Sequence, residues 1–172
     1  MLSREPTQDQ VRLTYRSIGL DDLQYLQVRE GLAYWQSLCG NRAYPARQEI
    51  EPRAICRLLC NTIVIKVIDG GADFEFAIVG DDVTRAYRAP LMRRRLSEVA
   101  ADLPHSAEYW GGVYRDICTN RQPRAVRFSS GFDGEARFAD AEAVLLPLGP
   151  NDETVDHIIT FAKRTLRSAS SP

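Results

Sequence analysis

The stretch YWQSLCGNRAYPARQEIEP, residues 34–52, separates an amphipathic segment from everything that follows it. It opens at helical spacing, breaks at Gly40-Asn41, and runs through Pro45 and Pro52 among alternating charges. Two readings compete. One is an active-site loop with Cys39 as nucleophile; the other is a crossover by which a helix hands the chain to a sheet. A nucleophile needs a base and a group to orient it. The two histidines are His105, which follows Pro104 in a loop-like stretch, and His157, in an extended one; nothing in the sequence sets either beside Cys39. Without them Cys39 is a small, half-buried side chain.

Upstream, residues 21–38 predict a helix. Leu23, Leu26, Leu32, Trp35 and Leu38 recur at helical spacing, Asp21 and Asp22 suit its N-terminal dipole, and Gly40 stops it. Downstream, Glu51-Pro52 predicts a short helix carrying Ile55, Leu58 and Leu59 and ending near Asn61, with proline at its first position. TIVIKVID, 62–69, and DFEFAIVG, 73–80, predict two strands joined at Gly70-Gly71. Residues 81–121 lack strand patterning and predict short helices, one over 106–120. Three further strands follow at 123–132, 138–149 and 154–166, with turns at Asp133-Gly134 and Asn151-Asp152. The expected fold is α+β: a five-stranded antiparallel sheet with helices on one face, preceded by an N-terminal helix. Residues 1–20 and 167–172 are expected to be a flexible segment and a disordered tail around one domain over 21–166.

Length and composition agree with one globular domain. The 172 residues are 44% hydrophobic and 26% charged, with a net charge of −1. A chain of that size buries about 70% of its unfolded surface. The near-zero charge gives no overall pull toward nucleic acid or an anionic membrane. There is no run of about 18 apolar residues and no signal-peptide core at the start, so a cytoplasmic protein with reduced cysteines is expected.

The order of these pieces resembles a PAS domain, and in particular the small single-PAS proteins of alphaproteobacteria. The resemblance runs over about residues 30–165. It rests on YWQSLCGNRAYPARQEIEP, ICRLLCNTIVIKV, FEFAIVGDDVTRAY and AVLLPLGPNDETVDHII. In that family an aromatic pair ends the first helix before a Gly-Arg-x-x-Pro turn; here these are Tyr34-Trp35 and Gly40 to Pro45. An acidic-Pro step leads into the first strand, the second strand closes on Val79-Gly80, and a later one ends Leu146-Pro147-Leu148. Arg88 and Pro90 depart from the family, which often carries glycines in that stretch. The resemblance implies that residues 34–52 are the crossover from helix to sheet.

It also implies a cavity between sheet and helices, for which Phe76, Ile78, Tyr87, Met92, Trp110, Tyr114, Phe128 and Leu145 are the candidate lining. Some PAS domains hold haem or flavin there. Haem wants a placed axial ligand, and His105 is the histidine of the helical segment. A photoactive flavin wants a cysteine in an Asn-Cys-Arg-Phe-Leu type context, which Cys118 in ICTNR does not resemble. No cofactor is indicated; a bound molecule would be small, organic and held mainly by apolar contact. Cys56 and Cys60, at helical i, i+4 spacing, offer two metal ligands but lack the knuckle and the four evident ligands of a structural zinc site, so no metal is expected. Arg93-Arg94-Arg95 is the one basic run: an anion grip, or a solvated turn with Glu98 as partner of Arg94. Glu142 is a lone carboxylate on a strand, and an acid–base role would require it to share a pocket with His157.

The expected function is therefore a stand-alone PAS sensory or adaptor module in bacterial signalling, acting by small-molecule binding, protein association or both. With no room for an output domain, it would associate with itself as a homodimer or with a signalling protein. The interface expected is the N-terminal helix, through Leu23, Leu26 and Trp35. The alternatives are a ligand-free structural interaction protein and an enzyme; the sequence has no triad, P-loop or Gly-rich cofactor signature for the last.

Overall fold

A computed structural model describes residues 14–133 and 136–165. Six antiparallel strands form one sheet: β1 (Thr14–Ile18), β2 (Thr62–Ile68), β3 (Asp73–Val79), β4 (Arg124–Asp133), β5 (Ala136–Leu148) and β6 (His157–Thr165), in the order β1-β4-β5-β6-β2-β3. The helices are α1 (Leu26–Cys39), α2 (Asp81–Tyr87), α3 (Leu96–Val99) and α4 (Pro104–Asn120). The α+β class is as expected, with one strand more. Residues 14–18 lie in the stretch expected to be flexible, yet they pair with β4 from Thr14↔Ser129 to Ile18↔Ala125. Residues 1–13, 134–135 and 166–172 lie outside the described residues, and with them most of the expected flexible ends and Gly134 of the expected hairpin turn. No described helix is long and apolar enough to cross a membrane.

The sheet carries helices on both faces. α1 crosses one face over β5 and β6 and buries Val28, Leu32 and Trp35 there. Each such side chain removed from water contributes about 1.5–3 kcal/mol. Trp35 satisfies its indole by donating Nε1–H to the carbonyl of Pro147 at 2.9 Å. Gly31 lets the helix backbone approach the sheet: a Cβ built there would lie 2.2 Å from Cγ of Phe161. α2, α3 and α4 cover the opposite face.

The 34–52 stretch is a structured crossover. α1 ends at Cys39, and Gly40 takes φ 57° where a side chain would be strained. Arg42 then turns back, donating to the carbonyls of Leu38 and Cys39 and pairing with both oxygens of Glu49 at 2.7 and 2.8 Å. Glu49 also accepts from the amide of Ala46, and Tyr34 Oη accepts from the amide of Glu51. The loop is docked on the sheet's end by Ala43 N–H to Asp152 and Gly149 N–H to the carbonyl of Pro45. The short helix expected at 52–61 is instead a series of turns closing in a 3-10 turn, Leu59–Asn61.

Candidate functional site

A cavity lies between the sheet and helices α2–α4. Its floor is Ile63, Phe76, Ala143, Leu145, Thr160 and Arg164 from the sheet. Its roof is Tyr87 of α2, Leu91 of the following segment, Leu96 and Val99 of α3, and Trp110 and Tyr114 of α4, closed at one end by Leu103, Ser106 and Ala107. Side-chain alternation sends Ala143 and Leu145 of β5 into it, and Thr160 and Arg164 of β6, while the intervening Phe161 faces α1. The cavity volume is about 20 Å³, on the order of one water.

The lining is aliphatic and aromatic with a polar end. Arg164 reaches in from β6, and its guanidinium lies 5.2 Å from the ring centre of Tyr87 and 5.9 Å from that of Phe128, within cation–π range. Two buried polar atoms of the lining, Trp110 Nε1 and Thr160 Oγ1, have no hydrogen-bond partner. Burial raises the Tyr114 phenol far above its usual range, opposed only in part by Arg164, so it stays neutral. A stack of rings seals the side toward β1: Tyr15 lies on Tyr109 with centroids 3.8 Å apart and meets Trp110 and Phe128 at 5.6 and 5.5 Å.

Of the expected lining, the structure brings together Phe76, Tyr87, Trp110, Tyr114 and Leu145. Phe128 is buried just behind Trp110, ring centres 5.6 Å apart, but does not line the space. Ile78 and Met92 are corrected outright: they are 36% and 48% exposed. A bulge at Val64/Ile65 shifts the β2–β3 register so that Phe76 and Val79, and not Ile78, face inward; Met92 lies on the outside of the segment whose Leu91 points in. Sequence reasoning missed Arg164, Thr160 and Ser106. The alternation of β6 carried the signal for the first two, since Thr160, Ala162 and Arg164 share a face.

The other candidates disperse. Cys39 donates Sγ–H to the carbonyl of Trp35, and burial raises its thiol above the usual range, so it is not an activated thiolate. Cys56 and Cys60 are exposed and sit on turns, not on one helical face. Among the described residues no group of three or more His, Cys, Asp or Glu could hold a metal ion. His105 is exposed in the first turn of α4, outside the lining. Cys118 is half-buried on α4 away from the cavity, its thiol pushed up to about 11 by burial. The lining has no His, Cys or Met, and with about 20 Å³ of space it does not fit haem or flavin.

The arginine run is tied into local structure by its backbone and by the Arg94 side chain. Arg93 N–H donates to the carbonyl of Phe76 and Phe76 N–H to that of Arg94, so the run covers the outer edge of β3. Arg94 pairs with Asp102 at 2.8 Å and donates to the carbonyls of Pro90 and Glu98; Arg93 and Arg95 are exposed. Glu142 is on the α1 face, fully buried, and accepts from the amides of Gln24 and Tyr25 and from Arg127. His157 pairs with Asp156 six positions along the sheet, since Glu142 stands opposite Lys163 and His157 opposite Leu148. At about 3.4 Å per residue, some 20 Å of strand separates them, and they share no pocket. Of the expected interface residues, Leu23 and Trp35 are core residues of this chain, 5% exposed each; Leu26, 57% exposed, is the one open to a partner.

This sheet, with helices enclosing a small cavity on one face, is the plan that the sequence resemblance implies. A family model described as PAS domain matches residues 25–161, and the chain belongs to that family. A search of curated proteins and of solved structures finds no match.

Proposed function

We propose that the chain, which resembles the small single-PAS proteins of alphaproteobacteria, works as a sensory or adaptor module of the PAS type. A small molecule enters the cavity between sheet and helices, and the changed packing of α2 and α3 is read by a partner protein. PAS domains serve signal transduction as sensory modules rather than catalysts, and this reading assigns no reaction to the chain. The observation that carries it is the cavity: an apolar enclosure whose buried wall atoms Trp110 Nε1 and Thr160 Oγ1 lack partners. A buried polar atom without a partner costs about 1–3 kcal/mol, and a bound molecule with acceptors removes that cost. A ligand shifts such a module only by preferring one arrangement over another. The segment between α2 and α3 suits that role. It is bounded by two left-handed non-glycine residues, Arg88 at φ 51° and Arg93 at φ 61°, and holds Leu91 in the cavity wall between them.

A second reading is favoured by the small volume of the cavity: a filled core that serves only to hold an interaction surface. Thermal melts of the purified chain against a metabolite library separate the two. The sensory reading expects a rise in melting temperature with particular small molecules; the structural reading expects none from any of them.

Association runs, in this proposal, through the outer side of α1 around Leu26, with a second copy or a signalling protein. Leu26→Asp is expected to lower the oligomer mass in analytical ultracentrifugation without changing the fold. An unchanged mass would remove this surface from the account.

A further inference from the structure

We propose that the cavity takes a small carboxylate, its two oxygens received by the guanidinium of Arg164, the indole N–H of Trp110 and the hydroxyl of Thr160. The proposal rests on the sensory reading of the same cavity and names its ligand class. Three observations point to an acceptor with negative charge. Trp110 Nε1–H can only donate, and it is buried without a partner in the wall; the residue is 7% exposed. Thr160 Oγ1 is likewise buried and unpartnered, in a residue 3% exposed. Among the described residues of the lining, the one formally charged side chain is the cation Arg164, held over the faces of Tyr87 and Phe128. The planar fork of a guanidinium matches a carboxylate's two oxygens. The indole and hydroxyl line the same cavity and offer further donors.

The remainder of the wall sets the size and the tail. Leu91, Leu96, Val99 and Leu103 offer no polar side-chain atom, so a tail that runs along them is aliphatic. The volume of about 20 Å³, on the order of one water, must widen even for the head group. A chain of a few carbons must displace Leu91 and with it the segment between Arg88 and Arg93. Binding and movement of that segment are then one event, which couples ligand to surface.

The test is isothermal titration of the full chain with acetate, propanoate and butanoate, against 1-butanol and butylamine. The acids are expected to bind, and butanol about 30-fold or more weaker, the loss that follows when a buried charge pair loses one member. Arg164→Gln is expected to weaken butanoate by a similar factor. Thr160→Val guards against a variant that fails to fold. It removes the unpartnered hydroxyl, so it should raise the ligand-free melting temperature by about 2–4 °C while weakening butanoate about threefold to tenfold. A merely structural Thr160 would not move the two in opposite directions. Butanol binding as well as butanoate would overturn the carboxylate proposal and leave the sensory cavity standing. No binding by any of the five overturns the proposal; if the metabolite library also leaves the melt unmoved, the sensory reading fails with it.

Discussion

Arg127 donates to Glu142 at 2.9 Å across the β4–β5 pair, and the same guanidinium nitrogen donates to the carbonyl of Asp22 at 2.8 Å. Glu142 is wholly buried, and its other oxygen receives the amides of Gln24 and Tyr25 at 2.9 and 3.0 Å. One carboxylate therefore clasps the start of α1 to the back of the sheet, opposite the cavity. Glu142→Ala leaves a guanidinium and two amides without their acceptor and should cost about 3 kcal/mol, read as a lower urea midpoint. Glu142→Gln keeps one acceptor oxygen and should cost less. Equal losses for the two variants would show that the acceptor is not what matters.

Gly31 tests the approach of α1. Alanine is the better helix former by about 1 kcal/mol. Its Cβ, however, would lie 2.2 Å from Phe161 Cγ, and forcing that pair apart costs about 1–3 kcal/mol. Gly31→Ala should therefore destabilise, and Phe161→Leu in the same chain should recover part of the loss. A more stable Gly31→Ala chain would mean that α1 does not seat here.

Arg88 closes α2 in the left-handed region at φ 51°, ψ 31°, with its amide donating to the carbonyl of Thr84. A non-glycine residue there carries a strain of about 1 kcal/mol. Arg88→Gly should raise the stability by roughly that amount less the entropy of the unfolded glycine. If the strained turn holds the wall segment ready to move, the same variant should also change the affinity for a cavity ligand.

Glu49 gives an acid signature. Its hydrogen bonds from Arg42, then from the amide of Ala46, lower its carboxyl from 4.5 to about 2. The folded chain holds this proton less tightly than the unfolded chain. The stabilisation from pairing is thus fully present above the unfolded value near 4.5 and is lost as pH falls through about 2. Side-chain NMR titration should show Glu49 still ionised at pH 3, and Arg42→Gln should return it toward an ordinary value. Because both side chains are substantially exposed, added salt should weaken the effect.

The parts of the fold legible in the sequence were those with strong local periodicity. The Leu/Trp spacing of α1, the β2–β3 pair and the long β5 declare themselves by side-chain pattern. β1 does not. TYRSI has an edge strand's mostly exposed pattern, and its place is set by the register with β4, a contact over a hundred residues away. The turns at 52–58 carry a proline that suits a helix start, yet form no helix. The site was legible in its aromatics, at Phe76 by strand alternation and at Tyr87, Trp110 and Tyr114 on the helices, and illegible where a bulge reverses the alternation at Ile78. Arg164 escaped because the alternation of β6 sets its face but not what a cation meets there; the rings that receive it come from α2 and β4.

Native mass spectrometry of the freshly purified chain, followed by denaturation and analysis of what is released, tests the central claim most directly. The account predicts a mass above that of the polypeptide and release of a small organic acid, with the extra mass diminished in Thr160→Val. A spectrum of bare polypeptide, from a chain whose melting temperature no small molecule raises, would contradict it.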